Sequence, residues 1–250
     1  MTVPGVARWI AAQYSDFADD LPCWLALAQA GPGPILDLGC GDGRVARALA
    51  AAGHTVYGLD RDPEALRLAR LRRSAGLGRR LRFLHGDMTD FTLPETAGLT
   101  IVACHTFALL SDDEARRTLA AVRRNTHASG RIAIDLPSPT PGRPDQSFPA
   151  APVHAFVEPR TGHLVQVSAQ SRRRGSKRIS VTWWYDELRP DGSVGRVEVP
   201  TVYTLRPPAD ARKLFKLTGF STVSFFGSYG LRPYRSGSPH MIAVAETDAE

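Results

Sequence analysis

Apolar residues fall in short, evenly spaced blocks over the first half of the chain. Residues 35–38, 55–59, 81–85, 99–104 and 131–136 read as short strands, the first of them buried. Amphipathic segments separate them. Residues 45–52 carry small helix formers and stop at Gly53. Asp62-Pro63-Glu64 opens a second helix to about residue 74, because Asp62 is a good N-cap and Pro63 suits the first helical position. Ser111, with Glu114 three residues on, forms a capping box for a helix through about residue 125. Ahead of these, residues 3–29 read as helical with a break near Ser15 and Asp16, and Gly31-Pro32-Gly33-Pro34 stops them. Strands alternating with helices predict a parallel sheet with right-handed crossovers.

The pattern changes after residue 136. Residues 137–152 hold six prolines and read as a loop. Alternating runs at 164–171, 178–188 and 194–205 read as antiparallel strands, with Arg189-Pro190-Asp191-Gly192 as a tight turn between the last two. Alternation puts Trp183 and Tyr185 on one face and Trp184 on the other, so an aromatic face either lines a pocket or fills a core. Alpha/beta order returns with a helix from Pro207-Pro208 to Gly219 and strands at 220–226 and 241–246. The expected fold is α/β and doubly wound, with a mostly parallel sheet. It forms a single domain over 1–250, with a β-rich insertion at about 137–205.

Composition adds bounds. The chain has 250 residues, 43% hydrophobic and 22% charged, as in an ordinary globular protein. No apolar run approaches the roughly 18 residues of a membrane span, and no basic flank precedes an apolar stretch, so the expectation is a cytoplasmic protein without membrane contact. Cys23, Cys40 and Cys104 are too few and too scattered for a disulfide framework. The net charge of +6 rests mostly on arginine and reads either as a nucleic-acid footprint or as biased composition.

The candidate chemistry centres on Asp37-Leu38-Gly39-Cys40-Gly41-Asp42-Gly43. A glycine turn between strand and helix lets a ligand meet the backbone and the helix N-terminus. Its spacing, Gly39-x-Gly41-x-Gly43, differs from the dinucleotide pattern G-x-G-x-x-G. Asp37 and Asp42 would repel a pyrophosphate and suit an amino group and a sulfonium. Asp60 ends the second strand, where a carboxylate can accept both ribose hydroxyls. Asp87-Met88 follows the third strand, where an acid can accept from an adenine amino group. Asp37, the glycines, Asp60 and Asp87 all fall at the carboxyl ends of successive strands, where open α/β sheets bind ligands.

On these residues the sequence resembles the class I S-adenosylmethionine-dependent methyltransferases, over 35–136 and more loosely over 205–246. The resemblance implies a Rossmann-like seven-stranded sheet whose last strand is antiparallel. It implies S-adenosylmethionine as cofactor, held by the 37–43 turn, Asp60 with Arg61, and the Asp87-Met88 pair. Tyr14 resembles the N-terminal tyrosine that closes over the cofactor in small-molecule members; a buried structural tyrosine is the competing reading.

His105 ends the fourth strand beside the expected methyl position. It is the candidate general base and a cofactor-site residue; lining the pocket is its alternative. His54 and His85 read as structural, whereas His154, His163 and His240 are unranked. Cys104-His105-Thr106-Phe107 lacks both the Asp/Asn-Pro-Pro-aromatic segment of amino-methylating DNA enzymes and the Pro-Cys pair of cytosine-C5 enzymes. Asp112 and Asp113 read as a helix start, so no metal is expected. The expected acceptor is the nitrogen or oxygen of a small molecule. An RNA methyltransferase using the basic Arg172–Arg178 loop, and a cofactor-binding protein that does not methylate, stay open beside it.

Overall fold

The computed structural model describes residues 5–29, 31, 33–139 and 146–247. The expected helix start at residues 3 and 4, Pro32, Pro141 and Pro144 lie outside the described residues. The chain divides into two compact units: Ala18–Thr140 with Arg206–Glu250, and Met1–Phe17 with Pro141–Leu205.

The larger unit is a seven-stranded sheet. Its strands are β1 (Ile35–Leu38), β2 (Val56–Asp60), β3 (Leu81–His85), β4 (Ala97–Val102), β5 (Thr126–Pro137), β10 (Phe220–Phe226) and β11 (His240–Thr247), in the order β10-β11-β5-β4-β1-β2-β3. Strands β1 to β5 pair in parallel, and β11 runs antiparallel to both β5 and β10. The chain order reverses between β1 and β4, which opens a crevice beyond their carboxyl ends.

Two cores sandwich the sheet. On one face Leu36, Leu38, Ile134 and Leu136 pack against α5 (Asp112–Arg124) and α6 (Pro208–Leu217) through Leu119, Val122 and Phe215. On the other, Ile35, Ile101, Ala133 and Ile242 pack against α2 (Leu21–Ala28) and α3 (Arg44–Ala51) through Trp24, Val45 and Leu49. The caps form as expected. Asp62 accepts from the amides of Glu64 and Ala65 to start α4 (Pro63–Leu71), and Ser111 and Glu114 close a reciprocal capping box.

The smaller unit is a four-stranded antiparallel sheet, β6 (Ser147–Val157), β7 (Leu164–Arg174), β8 (Arg178–Leu188) and β9 (Val194–Thr204), in sequential order. Strand β6 corrects the expectation of a loop reaching residue 152. Pro149 and Pro152 are tolerated because β6 is an edge strand whose register shifts beside both prolines. The aromatic face of β8 has a partner in α1 (Val6–Gln13), where Val6 and Trp9 pack on Val165, Val167 and Tyr185. Tyr185 Oη donates to Gln13 Oε1 at 2.7 Å. Trp184, on the opposite face, donates from Nε1 to Glu198. The Arg172–Arg178 cluster is the end of the β7–β8 hairpin, with Arg174 paired opposite Arg178. No described helix is long and apolar enough to cross a membrane.

Candidate active site

Glycine makes the turn after β1 possible. Gly39, Gly41 and Gly43 have φ of +76°, +55° and +77°, the left-handed region that other residues enter at a cost. The amides of Gly39 and Cys40 both donate to the Leu59 carbonyl, tying the turn to β2. A Cβ on Gly39 would lie 2.7 Å from Thr106 Cγ2 and 3.2 Å from Met88 Cε, and one on Gly43 would lie 2.6 Å from Phe83 Cζ. A Cβ on Gly41 would meet nothing within 4 Å. The outer glycines are packed by protein, and the middle one presents bare backbone to open space.

Asp60 braces that open backbone. Its Oδ2 accepts from the Gly41 amide and its Oδ1 from the Asp62 amide, both at 2.8 Å. Asp87 closes on itself as an Asx-type turn, accepting from Thr89 N and Thr89 Oγ1, and those hydrogen bonds hold its carboxyl below the usual range. Met88 reaches back over Gly39 and packs on the core. Arg61 is exposed, and its carbonyl accepts from His85 Nε2 at 3.1 Å.

The remaining acids also have protein partners. Asp37 lies buried in β1 and accepts from the Ala46 amide in the first turn of α3, and burial pushes its carboxyl up to about 7. Asp42 is held by Arg47 and Arg72. Cys40 is buried, and desolvation raises its thiol. The structure thus brings Gly39 to Gly43, Asp60, Met88 and the 104–106 segment around one crevice. It uses Asp37 and Asp42 to fix the turn's shape. Tyr14 lies in the smaller unit at the end of α1, where it lines a cavity of about 370 Å³ with Gln13, Asp16, Phe17, Val153, His154 and Trp183. His163 pairs with Glu187 in the same unit.

Four residues escaped the sequence reading. Asp20 is fully buried at the start of α2 and takes a bidentate pair from Arg44, both bonds at 2.7 Å, together with Trp24 Nε1. Arg44 also donates to Cys104 Sγ at 3.3 Å, which joins α2, α3 and the loop after β4. Asp135 is buried near the end of β5, and Tyr229 Oη donates to its Oδ2 at 3.2 Å. Asp135 lies inside the apolar run 131–136, and that acid in a buried strand is the signal that could have flagged it. Cys104 and His105 are consecutive non-glycine residues at φ of +52° and +57°. Such strain persists only where the surroundings enforce it, and it clusters at functional sites. Among the described residues no group of three His, Cys, Asp or Glu side chains is arranged to hold a metal ion.

Burial raises Asp37 and Asp135 to about 7, above the ~3.9 of a free aspartate. Each favours its protonated form in the fold, so its contribution is complete below pH ~4 and lost as pH rises through 7. Asp135→Asn is expected to flatten the slope of melting temperature against pH between 4 and 7. An unchanged slope would show that Asp135 ionises normally.

Fold and turn together define a class: a doubly wound α/β protein with an acid-flanked glycine turn at the switch point of its sheet. Residues 35–130 match the family model described as a methyltransferase domain. The cypemycin N-terminal methyltransferase of Streptomyces is 24% identical over 213 residues, covering 85% of this chain and 82% of that one. Matches to several other curated relatives span about half of their length or less. Two solved structures share the fold at 18% identity. The CcbJ methyltransferase of Streptomyces caelestis has a TM-score of 0.75 and covers 91% of this chain and 94% of its own. The sugar N-methyltransferase KedS8 of Streptoalloteichus has a TM-score of 0.74, with 99% and 97% covered. Over residues 35–130 the chain carries a methyltransferase domain, and its fold is that of the methyltransferases named above.

Proposed function

We propose that the enzyme transfers the methyl group to a nitrogen or oxygen of a small molecule. The bare Gly41 backbone beside Asp60, after β1, and the strained Cys104–His105 loop, after the neighbouring strand β4, carry the reading. In it, Gly39 to Gly43 hold the methionine portion, Asp60 with Arg61 takes the ribose, and Asp87 with Met88 takes the adenine. When bound, the cofactor supplies an electrophilic methyl carbon on a sulfonium. The chain orients and desolvates the acceptor, and positioning of this kind is worth roughly 7–11 kcal/mol of barrier. In this reading His105, in the loop after β4, takes the acceptor's proton.

The acceptor class draws support from relatives whose names specify an N-terminal amine and a sugar nitrogen. The RNA reading has less behind it, because its basic cluster is an ordinary hairpin end.

The test is incubation with S-adenosylmethionine and a panel of small amines, alcohols and phenols, with an RNA pool as a separate arm. Release of S-adenosylhomocysteine is followed by mass spectrometry. Turnover with at least one small molecule is expected. Turnover on RNA alone, or on nothing, would overturn the reading.

A further inference from the structure

Beyond β4 and β5, four polar side chains meet on the sheet face that also carries Asp37. Asp135 and Ile242 stand opposite each other in the β5–β11 ladder, and His240 follows two residues along on that face. The His240 ring lies against Tyr229, with centroids 4.2 Å apart. Tyr229 donates to one Asp135 oxygen. The other, Oδ1, is fully buried with no hydrogen-bond partner and lies 3.6 Å from His105 Nε2.

An unsatisfied buried carboxylate oxygen is costly and calls for an explanation. Here it faces one imidazole nitrogen, and His105 is itself 39% exposed while Asp135 is 1% exposed. A buried acid behind a half-exposed histidine is the arrangement that orients a base, and such contacts are often long before substrate binds. We propose that Asp135 positions His105 to take a proton from the acceptor, so that the acceptor carries that proton on the methylated atom, as N–H or O–H.

The proposal rests on the small-molecule reading above and extends it. An acceptor of this class forms its new bond to the methyl carbon with its own lone pair. The carbon–sulfur bond breaks, and its electrons return to sulfur. The acceptor's proton passes to His105 Nδ1 while Nε2–H points at Asp135, and the resulting imidazolium is stabilised by that carboxylate before it releases the proton to water. Asp135 is a positioning residue, and Tyr229 positions it in turn.

The surroundings set the direction of its titration. Burial raises Asp135 and Asp20 adds to the rise, whereas Tyr229, His240 and the His105 amide oppose it. Cys23 of α2 also faces it, and its thiol is raised partly by Asp135. Burial lowers His105. Removing the Tyr229 hydroxyl therefore raises Asp135 further.

The decisive experiment reads the His105 tautomer by nitrogen-15 NMR in the cofactor-free protein, which does not depend on methyl transfer. In the native protein, measured at a pH above the value of about 7 to which burial raises Asp135, the Nε2–H form is expected to dominate. In Asp135→Asn the new amide can donate to Nε2, so the Nδ1–H form takes over. With the amine and phenol panel, S-adenosylhomocysteine release should fall at least about tenfold in Asp135→Asn. Tyr229→Phe, which keeps the carboxylate, should retain the tautomer and move the acidic limb of the pH–rate profile upward. The same tautomer in Asp135→Asn, or an unmoved limb in Tyr229→Phe, would overturn the proposal. Should no panel member be methylated while the tautomer switches as described, the functional reading fails and the dyad stands.

Discussion

Asp20→Ala is expected to destabilise the larger unit by about 3–5 kcal/mol, the cost of leaving a buried charge without its partner. The Asp20 side chain is 0% exposed and that of Arg44 is 11% exposed. Removing the carboxylate strands the guanidinium, deprives Trp24 Nε1 of its acceptor, and loosens the grip of Arg44 on Cys104. The loss is therefore expected to reach the loop after β4 as well as the α2–α3 contact. Chemical denaturation of the variant measures it. The double variant Asp20→Ala with Arg44→Met should recover much of the loss, because the penalty lies in the unpaired charge more than in the missing bond. Equal destabilisation in the single and double variants would mean that the pair acts through packing instead.

Gly39→Ala combines two penalties. A non-glycine residue in the left-handed region costs roughly 1–2 kcal/mol. The added methyl must also push Thr106 and Met88 aside, from 2.7 and 3.2 Å. Both residues border the crevice, so the variant is expected to lose stability and at least tenfold in affinity for S-adenosylhomocysteine, a change of about 1.4 kcal/mol. Gly41→Ala separates the two effects. Its methyl meets no protein atom within 4 Å, so it is expected to stay closer to native stability while still intruding on the ligand's path. Differential scanning fluorimetry alongside calorimetry reads both quantities. Native-like binding by both variants would place the cofactor elsewhere.

Much of this architecture was legible in the sequence because its signals are local. Asp62 and Ser111 announce helix starts through hydrogen bonds to amides two or three residues away. The run 35–38 and the glycines after it announce a buried strand and a left-handed turn. Strand β6 was hidden because two prolines signal a loop unless the strand is known to lie at an edge, and edge position is a property of the folded sheet. The site divides in the same way. Asp60 and the glycines lie within one βαβ unit, and their spacing exposes them. The pairing of Asp20 with Arg44 spans 24 residues, and that of Asp135 with Tyr229 spans 94. No periodicity links such residues. Asp37 and Asp42 were legible through their positions, whereas their protein partners were not: Asp37 accepts from the Ala46 amide of α3, and Asp42 pairs with Arg47 and Arg72.

Cofactor binding is expected in the crevice at Gly41 and Asp60. The most direct measurement is calorimetric titration of S-adenosylhomocysteine into the native protein and into Asp60→Ala. One molecule bound per chain is expected, with affinity lowered about tenfold or more in the variant. That is the range for losing a hydrogen bond to a charged group, about 1.5–3 kcal/mol. No binding by the native protein, or equal binding by both, would contradict the assignment of this crevice to the cofactor.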